Sequence, residues 1–211
     1  MTKASAQGGR GKYDRSQTPD QRRHERLEKL LDAATDVFAA NGYSGTRVDD
    51  IVEATGMSRR TLYQLFDSVD AILTEVYERA VRISFTTLVQ RIATVTDPIE
   101  RIHAGIQAWL DMIAENPSAA TVVFDVYRHA GPTQAAKYEL NTARYSMLML
   151  EAINAAAAAG RVGRAADEAT VYVLVKGIEA LCVRALHRGE HAGLPGMAPA
   201  MARLIVEAFR G

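Results

Sequence analysis

The sequence predicts an all-α protein: a three-helix head containing a helix-turn-helix, with a larger helical domain behind it. Three observations lead there. Leu27, Leu30, Leu31, Ala34, Val37 and Phe38 recur at three- and four-residue steps, which lines one face of a helix. Helix breakers and caps then punctuate the chain: Asn41-Gly42, Gly56, Asp97-Pro98, Asn116-Pro117, Gly131-Pro132, Gly160 and Gly189. No alternating apolar–polar stretch is long enough for a half-buried strand.

Taken in order, residues 1–20 read as a disordered basic arm, because they hold almost nothing to bury. A first helix over 19–40 stops at Gly42, which reaches a left-handed cap without a Cβ penalty. Thr46 and Asp49 have capping-box spacing ahead of a short helix that Gly56 ends. Ser58 caps a second short helix over 59–66. Asp67-Ser-Val-Asp70 opens a long helix over 69–93. Asp97-Pro98 and Asn116-Pro117 each open a helix, Gly131-Pro132 separates another pair, and further helices are expected near 132–159, 166–188 and 198–209, with a Gly/Pro linker over 189–199. The domain reading is therefore 1–20 for the arm, 21–68 for the head and 69–211 for the helical remainder.

Composition excludes several classes. Of 211 residues, 48% are hydrophobic, which supports a packed core, and formal net charge is +0, which argues against indiscriminate coating of nucleic acid. The front of the chain is locally basic, with Lys3, Arg10, Lys12, Arg15, Arg22, Arg23, Arg26 and Lys29 against Asp14, Asp20, Glu25 and Glu28. Cys182 is the only cysteine, which fits a reducing compartment. No signal-like segment opens the chain and no apolar run approaches the roughly 18 residues of a membrane span, so a cytoplasmic protein without a membrane partner is expected. His103 and His129 lack companions at metal-ligand spacing. No glycine-rich phosphate loop or nucleophile–base pair stands out, so no cofactor, metal or catalytic residue is assigned and an enzyme is not expected.

The most informative segment is TRVDDIVEATGMSRRTLYQLF, residues 46–66. Ile51, Met57, Leu62 and Leu65 are spaced to pack two short helices across each other about Gly56. The second helix then offers Arg59, Arg60, Thr61, Tyr63 and Gln64 to a major groove. Arginine gives paired donors to guanine, glutamine reads adenine, and hydroxyls suit phosphate oxygens. Solvated surface residues are the plainer reading of the same pattern.

FAANGYSGTRVDDIVEATGMSRRTLYQLFDSVDAIL, with the helix before it, resembles the DNA-binding domain of the TetR family of bacterial regulators over residues 24–73. The resemblance implies an all-helical homodimer whose C-terminal domain holds an effector pocket and the dimer surface. It implies phosphate contact by Thr46, Arg47 and Tyr63, and base or backbone reading by Arg59, Arg60 and Thr61. Val52 stands where a small Ala is usual and Val69 where Lys is common. Arg10, Lys12, Arg15, Arg22 and Arg23 either track the minor groove or belong to an inert tail, and Arg22 and Arg23, nearest the head, are the better candidates for DNA contact.

Expected partners are thus an operator duplex, a second copy of the chain and a small-molecule effector. Trp109, Met112, Phe124, Tyr127, Tyr145, Met147, Met149 and Glu179 are candidate pocket residues, each taken alone reading more readily as ordinary core. Val171, Leu174, Val175, Ile178, Leu181 and Leu186 are candidates for a twofold interface or for packing within one subunit. The expected mechanism is repression, with ligand shifting the helix over 69–93 and lowering DNA affinity. The contrasting reading is a helical small-molecule carrier or interaction protein without specific DNA binding.

Overall fold

The structure is a computed structural model that describes residues 18–210. Arm residues Lys3, Arg10, Lys12 and Arg15 lie outside the described residues. Every regular element among the described residues is helical. None of these helices is long and apolar enough to cross a membrane.

Helix α1 spans Pro19–Gly45. Thr18 Oγ1 accepts the Gln21 N–H at 3.2 Å while Gln21 Oε1 accepts the Thr18 N–H at 2.8 Å, a reciprocal cap. Gly42, at φ +68°, breaks the helical path where the sequence placed the stop. Helix α2 spans Val48–Thr55, and its cap differs from the expected one. Arg47 is the capping residue, its N–H donating to Asp50 Oδ2 at 2.7 Å. Thr46 is buried and its hydroxyl donates back to the Gly42 carbonyl at 2.7 Å, fastening the α1–α2 link instead. Gly56 ends α2 at φ +66°.

Helix α3 is Arg59–Tyr63, capped by Ser58 Oγ accepting the Thr61 N–H at 3.1 Å. It is shorter than the expected 59–66, because Leu65 and Phe66 both donate to the Leu62 carbonyl in a closing turn. Helix α4 spans Val69–Ala93, capped by Ser68 Oγ on the Ala71 N–H at 3.1 Å.

Leu30, Leu31, Phe38, Ile51, Leu62, Ile72 and Leu73 are all excluded from solvent and form the head core. That core does not close on itself near residue 68. It continues through Val76, Tyr77 and Val81 of α4 to Val122, Val126, Tyr127 and Tyr138. Tyr77 stacks on Tyr127 with centroids 3.7 Å apart and planes 8° apart.

The larger domain starts with α5 (Pro98–Glu115), where Asp97 Oδ1 accepts the N–H groups of Ile99 at 2.9 Å and Glu100 at 3.1 Å. The Glu100 backbone bond, then Arg161, hold the Asp97 carboxyl below the usual carboxylate range. Asn116 does not cap the next helix with its side chain, as the Asn-Pro pair suggested. It donates to the Met112 carbonyl at 3.3 Å and finishes α5.

A single rod follows: α6 (Pro117–Thr121), a π-helical turn (Val122–Val126) and α7 (Tyr127–His129). Helices α8 (Pro132–Ala158) and α9 (Glu168–His187) come next. The stretch expected as linker contains a 3₁₀ helix, His191–Met197, leading into α10 (Ala198–Glu207). Ile102, Ile106, Leu110, Ile153, Val171, Val175, Cys182, Ala202 and Ile205 anchor this second core.

Two outcomes are expected from this packing. Leu62→Ala removes a side chain with no solvent exposure and should destabilise the protein by about 3 kcal/mol in chemical denaturation. Burial, and then the Glu179 charge, push the Cys182 thiol up to about 12, so the thiolate is scarce at pH 8. Iodoacetamide at pH 8 should therefore label Cys182 only as fast as the fold opens, and rapid labelling of folded protein would contradict this burial.

Candidate functional site

Two features stand apart from the cores: the outward side of the helix-turn-helix and a cavity beneath it. Ile51 and Leu62 point α2 and α3 into the head, so the opposite side of α3 is solvent-facing. Arg59, Arg60 and Gln64 are exposed there, and Tyr63 is 48% exposed despite its aromatic ring. Thr61 is half-buried, its hydroxyl 2.9 Å from that of Ser58. Arg47 is exposed beside the start of α2. The Arg59 guanidinium pairs with Asp49, which brings the start of α2 alongside the start of α3. Arg23 is exposed and Arg22 half-buried on the first turns of α1. Thr46 alone among these candidates is buried, with its hydroxyl already committed to Gly42.

The cavity measures about 500 Å³. Helices α1, α4, α5, α8 and α9 wall it together with the rod that starts at Pro117. Of the sequence candidates, Trp109, Met112, Phe124, Tyr145 and Glu179 line it. The other three do not. Tyr127 is buried against Tyr77 in the head core, and Met147 is 59% exposed on the far side of α8. Met149 lines a separate pocket of about 50 Å³ with Leu148 and Ala152. Trp109 and Tyr145 stack with centroids 6.2 Å apart, and Phe124 meets Trp109 edge-on at 6.4 Å.

Sequence reasoning named Tyr145 and Glu179 but missed Tyr138, Asn141 and Thr142 in the polar part of the wall. Tyr138, Asn141, Thr142 and Tyr145 fall on one face of α8 at three- and four-residue spacing, a signal that an apolar search passes over. Tyr145 Oη lies 2.6 Å from Ser84 Oγ, and burial raises its phenol above the ordinary tyrosine value. Thr142 donates to the Tyr138 carbonyl at 3.2 Å. The buried Glu179 carboxylate accepts from Lys176 at 3.2 Å and Arg128 at 3.5 Å. The Lys176 ammonium lies 4.6 Å from the centre of the Tyr138 ring. Burial, and then the nearby Glu179, raise the Tyr138 phenol as well. Asn141 Oδ1 and the Tyr138 hydroxyl are buried without a hydrogen-bond partner. At the rim, Asp32, Asp36 and Glu115 are exposed, and Arg79 donates to Asp32 at 2.6 Å and meets Glu28 at 3.0 Å.

For the late helices the structure favours the second of the two readings, packing within one subunit. Val171, Val175 and Ile178 are buried in the core of their own chain, with Leu174, Leu181 and Leu186 packed against it. A stripe chosen for being apolar is the stripe that the subunit itself uses. The outward row of α9 is instead Val173, Gly177, Ala180 and Arg184, and α10 presents Leu204; Val173 and Leu204 are each 67% exposed. Among the described residues no group of three or more His, Cys, Asp or Glu is placed to hold a metal ion.

Comparison with known proteins agrees with this arrangement. A family model described as "Bacterial regulatory proteins, tetR family" matches residues 30–76, and one described as "Tetracyclin repressor-like, C-terminal domain" matches residues 95–182. The HTH-type transcriptional activator FasR of Mycolicibacterium smegmatis is 31% identical over 120 residues, covering 57% of this chain and 55% of that protein. The HTH-type transcriptional repressor KstR2 of Rhodococcus jostii is 29% identical over 119 residues, covering 56% and 58%. The chain thus spans about half the length of the curated relatives it matches.

Among solved structures, the transcriptional regulator FadR from Bacillus subtilis in complex with stearoyl-CoA superposes with a TM-score of 0.76 at 17% identity, over 86% of this chain and 98% of that one. The TetR family regulator PfmR from Thermus thermophilus gives 0.70 at 21% identity, over 84% and 97%. Both likenesses concern the fold. One family accounts for the helix-turn-helix, for the helical domain behind it and for both matched segments: the chain belongs to the TetR family of bacterial regulatory proteins.

Proposed function

We propose that this protein is a sequence-specific DNA-binding transcription regulator that works as a homodimer and is released from a palindromic operator by a small, largely apolar ligand. The observation that carries the reading is the solvent-facing row Arg59, Arg60, Tyr63 and Gln64, on a helix whose other side is locked into the core by Leu62. Long polar side chains fixed at their base are what base-edge readout requires. In this reading Arg59, Arg60 and Gln64 face bases, while Tyr63, Thr61 and Arg47 face phosphate and orient the head. Thr46 acts through the α1–α2 link that it fastens. Arg22 and Arg23 extend the contact along the backbone.

One recognition helix reads few base pairs, so a second copy is needed for useful specificity. The outward rows of α9 and α10, with Val173 and Leu204, are the surface for that copy. The switch runs from the cavity to the head through α1 and α4, which wall the first and build the second. A ligand lowers DNA affinity by binding the arrangement that does not fit the operator more tightly than the one that does.

The test is a mobility shift on duplexes selected from a random pool, at stated salt. Arg60→Ala should weaken the selected site by about tenfold or more and relax the base preference beneath it. Tyr63→Phe should weaken selected and random duplexes alike, as loss of a phosphate contact does. Melting temperature should be unchanged in both, since both positions are exposed. If selection from the pool enriches nothing, the regulator reading fails and a carrier becomes the better description.

A further inference from the structure

An unusual polar pair lies in the cavity wall, sealed from solvent. Among the described residues, only the Tyr77 hydroxyl, the Tyr138 hydroxyl and Asn141 Oδ1 are buried side-chain polar atoms without a partner. Tyr77 belongs to the head core, stacked on Tyr127. The other two residues line the cavity, one turn apart on the same face of α8. Their polar neighbours are already satisfied: Tyr145 with Ser84, Thr142 with the Tyr138 carbonyl, and Glu179 with Lys176 and Arg128. Folded proteins rarely leave buried polar atoms open unless something else is to occupy them.

We propose that the effector of this cavity is an uncharged molecule with an apolar body and a hydroxyl headgroup, held by Asn141 and Tyr138. This rests on the reading of the cavity as the effector site. A hydroxyl both donates and accepts. It gives its hydrogen to Asn141 Oδ1 and takes the one on Tyr138. Turning the Asn141 amide about leaves an open N–H there, which a hydroxyl accepts equally well. Burial and the Glu179 carboxylate, which competes for its hydrogen, keep the raised Tyr138 phenol protonated as donor.

The alternatives fit less well. An ether has no hydrogen for Asn141. A carboxylate has none either, and would face Glu179 inside and Asp32, Asp36 and Glu115 at the rim. The one guanidinium in that rim, Arg79, is already held by Glu28 and Asp32. The same carboxylates oppose entry of a polyanionic thioester. An ammonium headgroup would sit beside Lys176 and Arg128, which already neutralise Glu179. Val76, Ile83, Trp109, Met112 and Phe124 supply the apolar walls for the body.

Trp109 is the only tryptophan in the chain and lines the cavity, so its fluorescence reports occupancy directly. The probes are decanol, decyl methyl ether, decanoate and decylammonium, titrated into the full-length protein. Decanol should bind about tenfold or more tightly than each of the others. Asn141→Leu and, separately, Tyr138→Phe should shrink the decanol-over-ether preference towards parity, with melting temperature maintained in at least one of them. Equal affinity for decanol and the ether overturns the inference. So does tighter binding of decanoate or decylammonium, although that result leaves the cavity as an effector site. Absence of any Trp109 response overturns it too, and leaves operator binding untouched. If decanol binds with the stated preference and operator affinity does not fall, the headgroup assignment stands and the switching mechanism fails.

Discussion

The structure depends on one helix doing two jobs. Along α4, Ile72, Leu73, Val76, Tyr77 and Val81 bury into the head core, while Arg79, Ala80, Ile83, Ser84 and Thr87 wall the cavity. Val76 belongs to both sets. The stack of Tyr77 on Tyr127 fixes where this helix lies against the rod that begins at Pro117. Cores pack too tightly to deform smoothly, so a change in how the cavity wall packs must move α4 as a body. Helix α3 has only five residues and joins the same head core through Leu62.

The π-helical turn Val122–Val126 makes a second link of the same kind. Upstream of it, Ser118, Ala119 and Ala120 face the cavity, and Val123 and Phe124 do so within the turn. Val122, Val126 and Tyr127 turn into the head core. A regular α-helix keeps one face on one neighbour for its whole length. A π turn adds a residue to the repeat and rotates the residues after it, which lets one rod serve both compartments. Cavity and head are therefore joined at α1, α4 and this rod.

The features legible in the sequence were local. Gly42, Gly56, Ser58, Ser68 and Asp97 each act on backbone groups within a few residues, so their effect can be read without knowing the fold. The stripe on α1 is local in the same sense. The features that were not legible depend on which neighbour a helix meets. Met147 and Met149 are two residues apart on α8, yet one is solvent-exposed and the other lines a minor pocket. Val173 and Val175 on α9 differ in the same way, one outward and one in the core. Hydrophobicity alone cannot separate them. Tyr138 and Asn141 were passed over because a search for an apolar pocket discounts polar residues, although a pocket's selectivity lies in its few polar groups.

The direction of the response is a separate question from the existence of the coupling. A ligand favours whichever arrangement of the cavity wall it fills better, and linkage carries that preference to DNA with either sign. Relatives matching at similar identity are named for opposite directions, FasR as an activator and KstR2 as a repressor. Sequence likeness at this level therefore does not set the sign. On the proposed headgroup assignment, the polar pair on α8 biases it. Asn141 and Tyr138 carry buried polar atoms without a partner, and a bond formed there favours the arrangement that makes it. A headgroup that completes those bonds stabilises the wall with α8 and α9 drawn onto it, and α4 must accommodate the result. If the empty cavity is the operator-fitting state, filling it weakens DNA binding, and repression relieved by ligand results from the same two polar atoms.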